Sequence, residues 1–231
     1  YGDLSSDVCS SDLEGLVITP DDWPPLVHPE LLADFESYTA WERHMVARCA
    51  DPGLTPEDVI ATLQRDAALV RMVRPGEGES IVGAIASLPR AGVHAPLPLT
   101  LESSLAHHAD VMRAVPDEWR PEPDEQGLDA IFRRDVRPAW PAWTAPLKRY
   151  LAAKAFATWT AYQGQGLLTI VRGLEAALAL VRVEAARQCR NAGRAIDAEL
   201  LREAIRQADF ALNHLAGGDE LAERWSGAED A

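Results

Sequence analysis

Lysine is almost missing from this chain. Of its 22 basic residues only Lys148 and Lys154 are lysines, and the rest are arginines. Cysteine is also scarce: Cys9, Cys49 and Cys189 are the three in 231 residues, and none forms a CxxC pair. That excludes a disulfide scaffold and gives no support to a thiolate zinc site. No uncharged apolar run reaches the roughly 18 residues a membrane-spanning helix needs. HExxH, GxSxG and DDxxD are absent. Gly76-Glu77-Gly78 and Gly164-Gln165-Gly166 start like a dinucleotide fingerprint, but Ile81 and Thr169 stand where its third glycine belongs, so both read as turns.

What is present is alanine, arginine and acid. The 38 alanines, together with arginine in place of lysine, are the usage of a GC-rich bacterial genome. Hydrophobic residues make 47% and charged residues 25%, the composition of a folded globular chain, long enough for one or two domains. The formal net charge is −14, and the excess is uneven. Residues 1–147 hold 25 acids and 11 bases, whereas residues 148–231 hold 11 of each. An acidic surface repels a polyanion, so nucleic acid is excluded as a partner.

The first residues stand apart. The chain opens on Tyr1, and residues 7–13 (Asp-Val-Cys-Ser-Ser-Asp-Leu) resemble the translation of a sequencing-adapter string. The expectation is that residues 1–13 are not biological and that the true start lies upstream. Cys9 falls in that segment; Cys49 and Cys189 sit in helical pattern and read as buried small hydrophobes in a reducing, cytoplasmic setting.

Periodicity predicts an all-α fold, an irregular helical bundle with a C-terminal antiparallel three-helix unit. Residues 14–143 form an acidic helical region with Pro-rich loops, 144–216 the three-helix unit and 217–231 a polar tail; 14–216 can equally be one domain. A helix is expected from Pro29 to Cys49, with Leu31, Phe35, Tyr38, Met45 and Cys49 on one face. Thr55-Pro56-Glu57-Asp58 is a strong helix start, for a helix running to about Met72. Residues 81–88 fit a short helix or a buried strand. Further helices are expected over 100–115, 127–136, 144–163, 166–190 and 197–216. The 166–190 segment is apolar around most of its girth, which predicts a buried central helix. Asn191-Ala192-Gly193 caps it and Asp197 opens the next.

Two groups of residues carry candidate chemistry. His107 and His108, with Asp110 and Glu102 close by, are the densest titratable cluster. Adjacent helix residues point about 100° apart, so the two histidines cannot share a metal as an i, i+4 pair can. No metal site or cofactor is supported, and either histidine is a general-base candidate beside the plainer reading of a surface pair. Ser103 and Ser104 lie one turn before them, where hydrogen bonding at the helix start is the simpler role. The second group is Arg133, Arg134 and Arg137 beside Trp140 and Trp143. It reads either as a cation–π contact surface for a ligand or partner, or as a decorated loop that its tryptophans anchor. Asp21-Asp22 is a lone acid pair without the rest of a metal motif.

Leu147-Lys148-Arg149-Tyr150-Leu151, followed by Phe156 and Trp159, forms one textured stretch, and Pro96-Leu97-Pro98-Leu99 leading into Leu101-Glu102 forms another. In order they resemble the helical region of bacterial cysteine-cluster proteins that include flagellin lysine-N-methylase, across about residues 94–215. The resemblance implies a lysine-N-methylase-like activity on a protein substrate, with the cysteine cluster earlier in the protein and therefore upstream of this sequence. It assigns no functional residue here. The alternative is a non-enzymatic acidic helical module that docks a protein or small ligand through the Trp/Arg segment.

Overall fold

Side chains of Asp34, Thr55, Ser80 and Asp197 start four of the helices. The computed structural model describes residues 26–74, 80–95, 100–120, 124–156 and 166–226. The adapter-like segment, Asp21-Asp22, the paired glycines at 76 and 78, Pro96–Leu99 and the end of the 144–163 helix with Trp159 and Tyr162 lie outside them. Helix α1 spans Phe35–Ala50, and the Asp34 carboxylate accepts from the Ser37 N–H at 2.7 Å. Its expected start at Pro29 is corrected. Residues Leu26–His28 (β1) and Leu31–Leu32 (β2) pair antiparallel, and the helix waits for the capping aspartate. Phe35, expected on the buried face, is 84% exposed because it is the first helical residue and precedes the packed turns.

Helix α2, Pro56–Val70, begins as expected. The Thr55 hydroxyl accepts from the Asp58 N–H at 3.1 Å, and the Asp58 carboxylate accepts from the Thr55 N–H at 3.0 Å. Residues 81–86 resolve as a short helix, α3 (Ile81–Ala86), which Ser80 caps. Helix α4 is Leu101–Arg113 and α5 is Leu128–Ile131, which runs into a π-turn over Phe132–Val136. A 3₁₀ turn, Trp140–Trp143, leads directly into α6, Thr144–Phe156.

Helix α7, Leu167–Ala192, is the axis of the molecule. It packs against α2, α4, α5 and α6, and against α8, Ala198–Phe210. Leu174, Leu178, Val181, Ala185 and Cys189 are buried on one face, and so are Ala176, Leu180 and Val183 on the opposite one. A helix covered on every side has to be apolar on every side, which is why the 166–190 segment lacked a polar stripe. Gly193, at φ +63°, ends it in the left-handed conformation that favours glycine. The Asp197 carboxylate then accepts from the Glu199 and Leu200 N–H groups, each at 3.0 Å, to start α8. Tyr150 donates to Asp209 at 2.8 Å and Lys154 pairs with it at 2.7 Å, so α6 is tied to α8 as well. The fold is therefore an all-α bundle, with only the small hairpin as sheet among the described residues.

Two details depart from the periodic reading. Residues 218–226, expected as polar tail, form a helix, α9, that buries Leu221, Ala222 and Trp225. The Trp225 ring lies over Gly173 of α7, where an added Cβ would come within 3.3 Å of it. At Gly166 (φ +62°) a Cβ would lie 2.4 Å from the Leu26 carbonyl oxygen, so the hairpin can close on the start of α7 only over glycine.

Candidate functional site

The His/Asp cluster on α4 separates into three environments. Asp110 pairs with Arg113 on the same helix. His107 faces α7, with its Nε2 3.6 Å from the Glu175 carboxylate, which also accepts from the Gln64 amide at 2.9 Å. Glu175 raises the His107 pKa above the ordinary imidazole value, against the opposing effect of burial. His108 is buried, and the Arg187 guanidinium lies 3.1 Å from its Nε2. A guanidinium can only donate, so that nitrogen is the acceptor and His108 is neutral with its proton on Nδ1. Burial, reinforced by Arg187, pushes its pKa down to about 4. The lone pair a general base would use is already occupied.

Between α2, α4 and α7 runs a buried polar seam that the sequence reading did not find. Arg182 donates to Glu57 at 2.6 Å and, at 3.4 Å, to the hydroxyl of the fully buried Ser104. Trp140 donates its indole N–H to the same Glu57 oxygen at 2.9 Å, and its ring lies 5.8 Å from the Arg182 guanidinium carbon. One signal was available: Arg182 stands between Val181 and Val183 in the most apolar stretch of the helix, Ala176–Val183. A charge placed there has to be paired inside the core.

This seam also decides how the Trp/Arg segment is used. Trp140 is 3% exposed, turned inward to Glu57 and Arg182. Trp143 is half-buried. Arg133 pairs with Asp129 at 2.8 Å, Arg134 with Asp135 at 2.6 Å, and Arg137 is exposed. The arginines face solvent and Trp140 faces the core, so the five do not share one surface.

The Trp140–Trp143 turn nevertheless borders a groove through Pro141 and Ala142. Pro141, Ala142, Thr144 and Ala145 form one wall, and Val46, Ala50 and Pro52 at the end of α1 form the other. The space is about 590 Å³, within the range of small-molecule sites, and it is mostly apolar. Cys49, Lys148, Arg149 and Ala152 complete its described lining. Lys148 is buried and donates to the carbonyls of Leu54 (3.0 Å) and Asp51, satisfying the end of α1. Cys49 is a thiol at neutral pH, because burial pushes its pKa up to about 11 despite the nearby Lys148 charge. It is therefore no ready nucleophile.

No known protein family, curated protein or solved structure matches this chain.

A second groove, of about 720 Å³, lies between the end of α2 and α3, among Leu69, Met72, Val73, Ala84 and Leu88. Among the described residues no ionisable side chain lines it, and its two described serines are spent locally, Ser80 on the Gly83 N–H and Ser87 on the Ala84 carbonyl. Among the described residues no group of three or more His, Cys, Asp and Glu side chains is placed to hold a metal ion, and no helix is long and apolar enough to cross a membrane.

Proposed function

We propose that this chain is a non-catalytic helical binding module that holds a small, largely apolar molecule in the groove between α1 and α6. The observation that carries the reading is the groove itself: an apolar, ligand-sized space whose walls are two rigid helix ends and the Trp-Pro turn. Sites built on helices hold their geometry better than sites on loops. The groups that would perform chemistry elsewhere are engaged in the fold, His108 by Arg187 and Ser104 by Arg182.

The methylase-related reading rests on the Leu147–Leu151 stretch with Phe156 and Trp159, and on Pro96–Leu99 leading into Leu101-Glu102, of which Pro96–Leu99 and Trp159 lie outside the described residues. Leu147 and Leu151 are core residues, Lys148 caps α1 and Tyr150 bonds Asp209, so packing and hydrogen bonding account for four of the five residues of Leu147–Leu151. The binding reading is the one the geometry favours.

Ala145 is exposed in the first turn of α6 and forms part of the wall. Ala145→Trp fills the groove without touching the core. The expected result is loss of binding of an alkyl-chain ligand, read by calorimetry, with an unchanged melting temperature. Retained binding in this variant would place the ligand elsewhere and end the proposal.

A further inference from the structure

The ionisable side chains in the groove are unlike those of the rest of the molecule. The chain carries a net charge of −14, yet among the described residues no carboxylate lines this space. Apart from the protonated Cys49 thiol, its ionisable groups are two cations, Lys148 and Arg149. Several surface arginines elsewhere take acids as partners, while the exposed Arg43, Arg90, Arg137 and Arg202, like Arg149, have no ion pair among the described residues. Arg113 pairs with Asp110, Arg120 with Asp117, Arg190 with Asp124 and Arg224 with Glu220. Arg149 is exposed and has no ion pair or hydrogen bond among the described residues. Lys148 gives two of its three N–H donors to the Asp51 and Leu54 carbonyls. Its positive charge therefore stays with those carbonyls, beside the groove that Lys148 helps to line.

We infer that the groove selects an amphiphilic carboxylate, a small molecule with an apolar body and one anionic head. The body lies along Val46, Ala50, Pro52 and Ala145, and the head meets Arg149. This rests on the binding reading above and adds the chemical class of its ligand. A guanidinium offers a carboxylate two parallel N–H donors, so Arg149 fixes the head's orientation as well as attracting it. The Lys148 charge adds to the field without needing to leave its carbonyls.

Dodecanoate and dodecan-1-ol, which share a chain and differ in head charge, separate the two claims in calorimetric titrations at submicellar concentration. The expected result is dodecanoate binding at least about ten-fold tighter than the alcohol, the size of one charge-assisted hydrogen bond. Arg149→Glu, with Arg149→Gln as a milder companion, brings that ratio to about one or below. Melting temperatures of both variants, set beside the parent, establish that the fold is intact. Equal affinity for acid and alcohol, or a ratio that survives Arg149→Glu, overturns the inference and leaves the groove reading standing. Failure of both ligands to bind overturns both. Binding of an acidic, apolar peptide in place of dodecanoate also overturns the small-carboxylate inference.

Discussion

Asp66→Ala lowers the unfolding free energy by about 3–5 kcal/mol, the cost of removing one partner from a buried charge network. The Asp66 side chain is fully buried and accepts from His44 at 2.7 Å, from Arg48 at 3.2 Å and from Arg65 at 2.8 Å. Without it two guanidiniums and an imidazole remain, with side chains only 10%, 26% and 13% exposed for Arg48, Arg65 and His44. The consequence extends to the chain between α3 and α4. Arg48 donates to the carbonyls of Pro89 and Arg90, and Arg65 to that of Ala91 at 2.8 Å. Further along, Thr62 accepts from the Val93 N–H at 2.9 Å and Asp58 from the Ala95 N–H at 2.8 Å. Residues 89–95 are thus strapped to α1 and α2 by side chains alone. Denaturant unfolding measures the loss, and hydrogen exchange of the Val93 and Ala95 amides reports the loosened strap. A loss under about 1 kcal/mol would place the network with ordinary surface ion pairs.

The second large effect is a pH slope. His108 titrates near 6.5 when unfolded and at about 4 when folded. Between those values the unfolded chain binds a proton that the folded chain refuses, so stability rises with pH across the window and is lost as pH falls through it. The full difference is about 3 kcal/mol. The carboxylates of Asp58 and Asp66, held below the ordinary value, lose their contributions only at lower pH, as they protonate. His107 works the other way. Its raised pKa makes its pairing with Glu175 fully present below the unfolded value, and it is lost as pH rises past it. His28 and Glu42 are also shifted, and comparison with a variant cancels them. His108→Gln therefore flattens the stability profile between pH 6.5 and about 4, measured by denaturant unfolding at several pH values. A variant profile as steep as the parent's would show that His108 is not the buried neutral acceptor of the Arg187 guanidinium.

Much of the fold was legible because helix ends in this chain carry explicit chemistry. Thr55-Pro56 and Asp197 opened helices where expected, and Gly193 closed one. The girth of α7 announced a central helix. The hairpin before α1 was not legible. Its strands are two and three residues long, too short for an alternating pattern, and Pro29 mimics a helix start. Helix α9 was hidden by its glycines and charges, since only Leu221, Ala222 and Trp225 reach the core. The site was the least legible part. Glu57 and Arg182 are 125 positions apart, and Pro52 and Pro141 face one groove from distant parts of the chain. Nothing in local spacing joins such residues. The Trp/Arg segment drew notice for its composition, yet what it supplies to the groove is the backbone turn and its small residues, Pro141 and Ala142.

The central claim is that the α1/α6 groove is a ligand site. Amide chemical-shift mapping during a dodecanoate titration tests it most directly. The account predicts saturable shifts concentrated at Val46, Ala50, Ala142, Ala145 and Arg149, with the Leu69–Val73 and Ile81–Leu88 amides unmoved. Shifts centred on those latter residues, or none that saturate, would contradict it.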